Sequence, residues 1–204
     1  MRSRIFILMV PVLWSCVHRP EKLPILGEMD ISDGDTVYHQ VPDFSFTNQY
    51  GEEYNQDSIR GMIYVSDFFF TKCPTICPKM AQQLLRIHDK FRNHPDFRIL
   101  SHSIDPKYDT TAALLNYADK LGVGQSRTWY FLSLPKDKIN ETARQYLAAA
   151  QEDSTAAGGF THTGHFLLVD GERHIRSFCD GTKAEEVDRL MKEISMLLDE
   201  RRPQ

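Results

Sequence analysis

The chain has 204 residues, 41% hydrophobic and 25% charged, with a formal net charge of −4. That allows one ordinary domain plus extensions, with enough apolar residues to bury a core without disulfide staples. The acidic balance argues against a nucleic-acid ligand, and the four cysteines, Cys16, Cys73, Cys77 and Cys179, are too few for a disulfide scaffold.

Residues 1–16 read as a targeting segment. Arg2 and Arg4 supply a positive start, and Ile5 to Trp14 form an apolar stretch of ten residues, short for a membrane span. It ends at Leu13-Trp14-Ser15-Cys16, which resembles a bacterial lipobox with Cys16 as the lipidated residue. That places the rest of the chain outside the cytoplasm, where disulfides persist, anchored by lipid on the periplasmic side of a bacterial membrane. Residues 17–38 read as a linker, with Pro20, Pro24, Gly27 and Gly34 and no sustained periodicity.

A single domain is expected over 39–200. Residues 42–47 alternate and are followed by a turn at Asn48-Gln49-Tyr50-Gly51, which predicts a hairpin at the start of the domain. Met62 to Phe70 is nearly continuous apolar and aromatic, as in a strand buried on both faces. The next helix has Pro78 in its first turn and Met80, Leu84, Ile87 and Phe91 at helical spacing. A second strand is expected over 97–104. Asp109 or Thr110 then caps a helix closed by Gly122. A short strand at 129–132, a helix marked by Ile139, Ala143, Tyr146 and Leu147, and a polar loop over 151–161 follow. Residues 165–170 and 174–178 pair as a hairpin across Gly171. Thr182-Lys183-Ala184-Glu185 reads as a capping box for a last helix with Val187, Leu190, Met191, Ile194 and Leu198 inward. Alternating β and α units predict a mixed sheet with helices on both faces. With two cysteines at the end of the first central strand, the expected fold is thioredoxin-like.

Cys73 and Cys77 stand four positions apart in Thr71-Lys72-Cys73-Pro74-Thr75-Ile76-Cys77-Pro78. At a helix start both thiols are expected to ionise more readily, helped by unpaired amides, the helix dipole and Lys72 and Lys79. The i, i+4 spacing can place both sulfurs on one side of a helical turn. Two thiolates open to a third ligand suit Cu(I) well and Zn(II) acceptably; the same pair also suits thiol redox chemistry. Of the eight histidines, His18, His39, His88, His94, His102 and His174 read as ordinary linker, surface or core residues. The loop before the strand at 165 approaches the dithiol in a thioredoxin-like fold, which selects His162 as third ligand with His165 as runner-up.

These residues resemble the SCO/SenC family of thioredoxin-like copper proteins that serve cytochrome c oxidase assembly. The resemblance covers roughly 41–198. It is carried by Val41-Pro42-Asp43-Phe44, by Asp67 to Met80 with its dithiol, by Ser103-Ile104-Asp105-Pro106-Lys107-Tyr108-Asp109-Thr110, and by His162-Thr163-Gly164-His165 with the strand that follows. It implies copper, as Cu(I) or Cu(II), held by Cys73, Cys77 and His162. It also implies a monomeric, membrane-tethered chaperone whose partner is the copper-bearing subunit of the oxidase or another copper-receiving protein. Asp105 and Asp109 are expected to be local structure, Asp109 as a helix cap. Cys179 stands where an aromatic residue is expected, and reads as a small residue at a strand end or as an auxiliary thiol.

Two other activities are compatible with the dithiol. In a thiol-disulfide oxidoreductase, Cys73 attacks and Cys77 resolves, with no need of a histidine. A thioredoxin-like peroxidase needs an attacking cysteine at the same place but no second one four residues on.

Overall fold

The computed structural model describes residues 22–32, 35–152 and 160–201. Cys16 and the segment read as a targeting sequence lie outside them, and among the described residues no helix is long and apolar enough to cross a membrane.

Seven strands form the main sheet. The central strand β5 (Ile63–Phe69) is buried along its whole length, as its nearly continuous apolar run predicts, with Ser66 and Asp67 buried along with it. It pairs in parallel with β6 (Phe97–Ser103), which pairs in parallel with β7 (Trp129–Ser133). On the far side of β7 comes the hairpin β3 (Ser45–Asn48) and β4 (Glu53–Asn55). On the other flank of β5, antiparallel to it, lies β10 (His165–Val169), followed by β11 (Ile175–Asp180). The order is therefore β11-β10-β5-β6-β7-β3-β4. The turn between β10 and β11 admits only glycine at 171, because a Cβ there would stand 2.5 Å from the Gly61 carbonyl oxygen.

Alternation along β5 sends its side chains to two faces. Phe68 stacks on His102 at 5.1 Å and meets Tyr146, at the end of α3 (Ile139–Gln145). On the opposite face, Asp67 and Phe69 meet Met80 and Leu84 of α1 (Cys77–Phe91) and Tyr117 of α2 (Thr111–Lys120). The last helix, α4 (Ala184–Glu200), buries Val187, Leu190, Ile194, Leu197 and Leu198, and its Glu193 accepts a hydrogen bond from Ser177 of β11 at 2.6 Å. Helices on both faces of a mixed sheet make the thioredoxin-like architecture, as expected.

Five local expectations change. Within the segment read as a linker, β1 (Met29–Ser32) and β2 (Asp35–Tyr38) pair as a separate ribbon, and Leu26 bridges to Ile175 of β11. The segment read as a polar loop begins and ends in a second ribbon, β8 (Ala150–Glu152) with β9 (Phe160–His162). Leu147 is not a core residue of α3; it is 47% exposed and has φ of 54°. The expected capping box of α4 is replaced. Asp180 accepts from the Thr182 backbone and hydroxyl, and Glu186 accepts from the Asp180 backbone at 2.9 Å. Finally, Thr110 alone caps α2, its hydroxyl accepting from Ala113 N–H.

Candidate metal centre

β5 ends against the turn Thr71–Ile76, and α1 starts at Cys77. The two cysteines therefore do not share a helical turn. Cys77 is the first residue of α1, while Cys73 lies in the turn before it and is brought back to Cys77 by the chain's reversal. Ile76 at the N-cap offers no side-chain acceptor, which leaves amides at the helix start without a partner. The Cys73 sulfur takes that place: the backbone N–H groups of Thr75 and Cys77 and the Cys77 thiol all donate to it. Burial pushes the Cys73 thiol up, but these donors outweigh burial and the net shift is downward.

Cys77 goes the other way. It is 3% exposed, and burial, the bond it donates to Cys73 and the charge of Asp67 hold its thiol well above the ordinary range. The expectation that both thiols ionise readily thus holds for Cys73 alone. The result is a pair of thiols of unequal acidity, Cys73 the more acidic.

The turn is anchored from below. Asp109 is fully buried. Its carboxylate accepts from the Thr71 backbone N–H at 3.1 Å, from the Thr71 hydroxyl, and from the Ser103 hydroxyl at 2.6 Å. Its role is therefore to tie down the dithiol turn and not to cap α2. The residue types alone gave no sign of this, because Thr71 lies 38 positions upstream. Asp105 is local structure, as expected: it opens the turn before α2, its carbonyl accepting from the backbones of Tyr108 and Asp109.

Under α1, Asp67 is 2% exposed. Its hydrogen-bond donor is the Ser101 hydroxyl at 2.5 Å, which in turn accepts from the Trp129 indole at 2.9 Å. Burial pushes the Asp67 carboxyl up to about 7. A carboxyl with a raised pKa in the fold is favoured as the neutral acid, so stability falls as pH climbs from about 4 to about 7 and is level above that. The cost approaches about 4 kcal/mol at pH 8. Asp67→Asn is expected to remove this slope in urea unfolding of the reduced protein followed from pH 4 to pH 8; an unchanged slope would rule out Asp67 as its source.

The described side chains assemble no group of three metal-ligating residues, and the side chain of His162 lies outside them. Its backbone belongs to β9, in register with Ala150. Two residues on, Gly164 packs against the start of α1, where a Cβ would lie 3.3 Å from Ile76 Cδ1. His165 turns away to Phe178, ring centres 5.5 Å apart. The remaining described histidines have local roles. His39 meets the Gln145 carbonyl and His94 accepts from the Asp96 backbone. His88 contacts Ser126 and His174 contacts Gln40. His102 is buried and held neutral, its pKa pressed down to about 3 by burial. Cys179 is fully buried, with burial raising its thiol to about 12, which fits a small core residue at a strand end.

A family model described as SCO1/SenC matches residues 33–199. The chain belongs to the SCO1/SenC family. Among curated relatives, a SCO2-like protein of Rickettsia prowazekii is 33% identical over 179 residues, 84% of this chain and 83% of its own. The SCO1 protein homolog of Bacillus subtilis is 25% identical over 161 residues, 78% of this chain and 83% of its own. A SCO1/SenC family lipoprotein from Bacillus anthracis superposes with a TM-score of 0.71 at 22% identity, covering 78% of this chain and 95% of that one. BsSco, described as a member of the Sco family of cytochrome c oxidase assembly proteins with a disulfide switch, gives 0.67 at 26% identity, covering 78% and 93%. Arabidopsis thaliana ScoI, solved with copper bound, gives 0.64 at 21% identity, covering 78% and 98%.

Proposed function

We propose that this SCO1/SenC protein binds one copper ion through Cys73, Cys77 and His162, and delivers it to the copper-bearing subunit of cytochrome c oxidase or to another copper-receiving protein. The observation that carries this reading is the thiol pair at the start of α1, one sulfur made more acidic by the Cys77 thiol and by backbone donors, with the chain just after His162 packed on the same helix start. Thiolates are soft donors suited to Cu(I), and a neutral imidazole completes a site that also accepts Cu(II). Three ligands leave the ion open to a competing thiolate or imidazole from a partner, which favours transfer over storage. The copper-bound relative supports the choice of metal.

In the same reading Cys16 carries the lipid that tethers the chain outside the cytoplasm, as a monomer. A diacylated cysteine is sufficient for stable anchoring, and the Bacillus anthracis relative described as a lipoprotein supports it.

Anaerobic titration of the reduced protein is expected to saturate at about one copper per chain. With Cu(II), a strong visible sulfur-to-metal absorption is expected and should be lost in His162→Ala. Saturation far below one equivalent, or an unchanged spectrum in His162→Ala, would sink the three-ligand site.

One observation favours a second reading, a thiol-disulfide oxidoreductase. The two thiols differ in acidity in the sense an attacking and a resolving cysteine need. Cys73 thiolate attacks a partner disulfide and releases one partner thiolate. Cys77 then attacks the mixed disulfide, releasing the second and leaving a Cys73–Cys77 disulfide. His162→Ala spares this activity, and Cys73→Ser abolishes it.

A further inference from the structure

We infer that the surface around the dithiol is a docking face for an acidic partner. The inference rests on the reading that Cys73 and Cys77 exchange copper or electrons with another protein. Both cysteines are buried, at 8% and 3% exposure. A partner group must therefore press into the turn, and the side chains around it decide which partners come close.

Lys72, adjacent to Cys73, is exposed, with its ammonium 3.6 Å from the centre of the Tyr108 ring. Lys107 sets a second ammonium 5.0 Å from the same ring. Tyr108 is 46% exposed, one of the few large side chains of its kind left in solvent. Among the described residues neither lysine is in an ion pair, whereas Arg60, Arg86, Lys138, Arg173, Lys183 and Arg189 are. The ring restrains the ammonium groups without neutralising them.

The neighbouring carboxylates lie beneath this layer. Asp109 is buried and occupied by Thr71 and Ser103, and Asp105 is 6% exposed in the turn. Lys79, in the first turn of α1, is also exposed. Three exposed lysines thus flank the turn, with Asp105 the carboxyl on which the charges of Lys72 and Lys107 bear, on a chain whose net charge is −4. The fitting partner carries carboxylates beside its own thiols or copper ligands.

Two peptides test this, each with a single cysteine flanked by four glutamates or by four lysines and linked to thionitrobenzoate as a mixed disulfide. Cys73 thiolate attacks the peptide sulfur, a protein–peptide disulfide forms, and the aryl thiolate leaves with the electron pair and is followed by its colour. By charge alone a thiolate prefers the lysine peptide, so the sign of the preference is informative. The full reduced chain is expected to react about tenfold faster with the glutamate peptide at about 10 mM salt, the two rates converging near about 0.5 M. The double variant Lys72→Gln, Lys107→Gln is expected to lose or invert the preference while its copper stoichiometry stays that of wild type. Equal rates, a lysine preference in wild type, or a glutamate preference retained by the double variant would overturn the inference. Wild type that prefers the glutamate peptide but binds no copper removes the copper reading and leaves this surface standing. Wild type that binds copper without any preference removes the surface alone.

Discussion

Cys77→Ser is expected to lower copper affinity at least about a hundredfold while leaving the fold intact. Changes to groups that merely orient metal ligands already cost 10- to 100-fold in general; here the soft ligand proposed for copper is itself replaced by a hydroxyl that does not ionise at neutral pH. Serine is close in size, so the 3% exposed site gains no large cavity, and its hydroxyl can still donate to the Cys73 sulfur. The fold and the metal site are thus separable by one substitution, with circular dichroism unchanged and the copper titration lost. Retention of one tightly held copper by Cys77→Ser would refute its role as ligand. The same residue sets a pH dependence. Its thiol is held protonated by burial and by its bond to Cys73, so copper binding must expel that proton. Affinity is expected to rise with pH across the neutral range, by about tenfold per pH unit for each proton released.

Asp109→Ala is expected to cost about 3–5 kcal/mol of stability, because it leaves the Thr71 amide, the Thr71 hydroxyl and the Ser103 hydroxyl without their buried acceptor. A second effect follows at the dithiol. The acidity of Cys73 depends on N–H groups of Thr75 and Cys77 being held at its sulfur, and that arrangement depends on the turn Asp109 ties down. The pH profile of Cys73 alkylation is therefore expected to move to higher pH in Asp109→Ala. Urea unfolding checks the first effect and the alkylation profile the second. A variant as stable as wild type, with the same profile, would leave Asp109 without the anchoring role.

How much of this was legible beforehand depended on whether a feature is local. The nearly continuous apolar run through β5, the helical spacing of Met80, Leu84, Ile87 and Phe91, and the hairpin across Gly171 each follow from neighbouring residues, and each stands where expected. The ribbons β1–β2 and β8–β9 were missed because they are short and polar and pair only with each other. Periodicity carries no signal over three or four residues. The α4 start differs because Asp180 takes the Thr182 amide that a Thr182–Glu185 box needs, while Glu186 reaches back to the Asp180 amide.

The residues by themselves determined the buried central strand, the dithiol at its end, the run of helices and the family these motifs resemble, since all are written in contiguous stretches. Only the tertiary structure decided how the two sulfurs differ. Cys73 is acidified because the Cys77 thiol and the amides at the start of α1 donate to it, and Cys77 is suppressed because α1 buries it and it gives its proton to the bond with Cys73. Likewise, only the folding of the turn before α2 against Thr71, just past β5, and Ser103, at the end of β6, turns Asp109 from a cap into the anchor of the dithiol turn. Acidity and anchoring are set by which groups meet in space and by how much water is excluded, and those are properties of the folded whole.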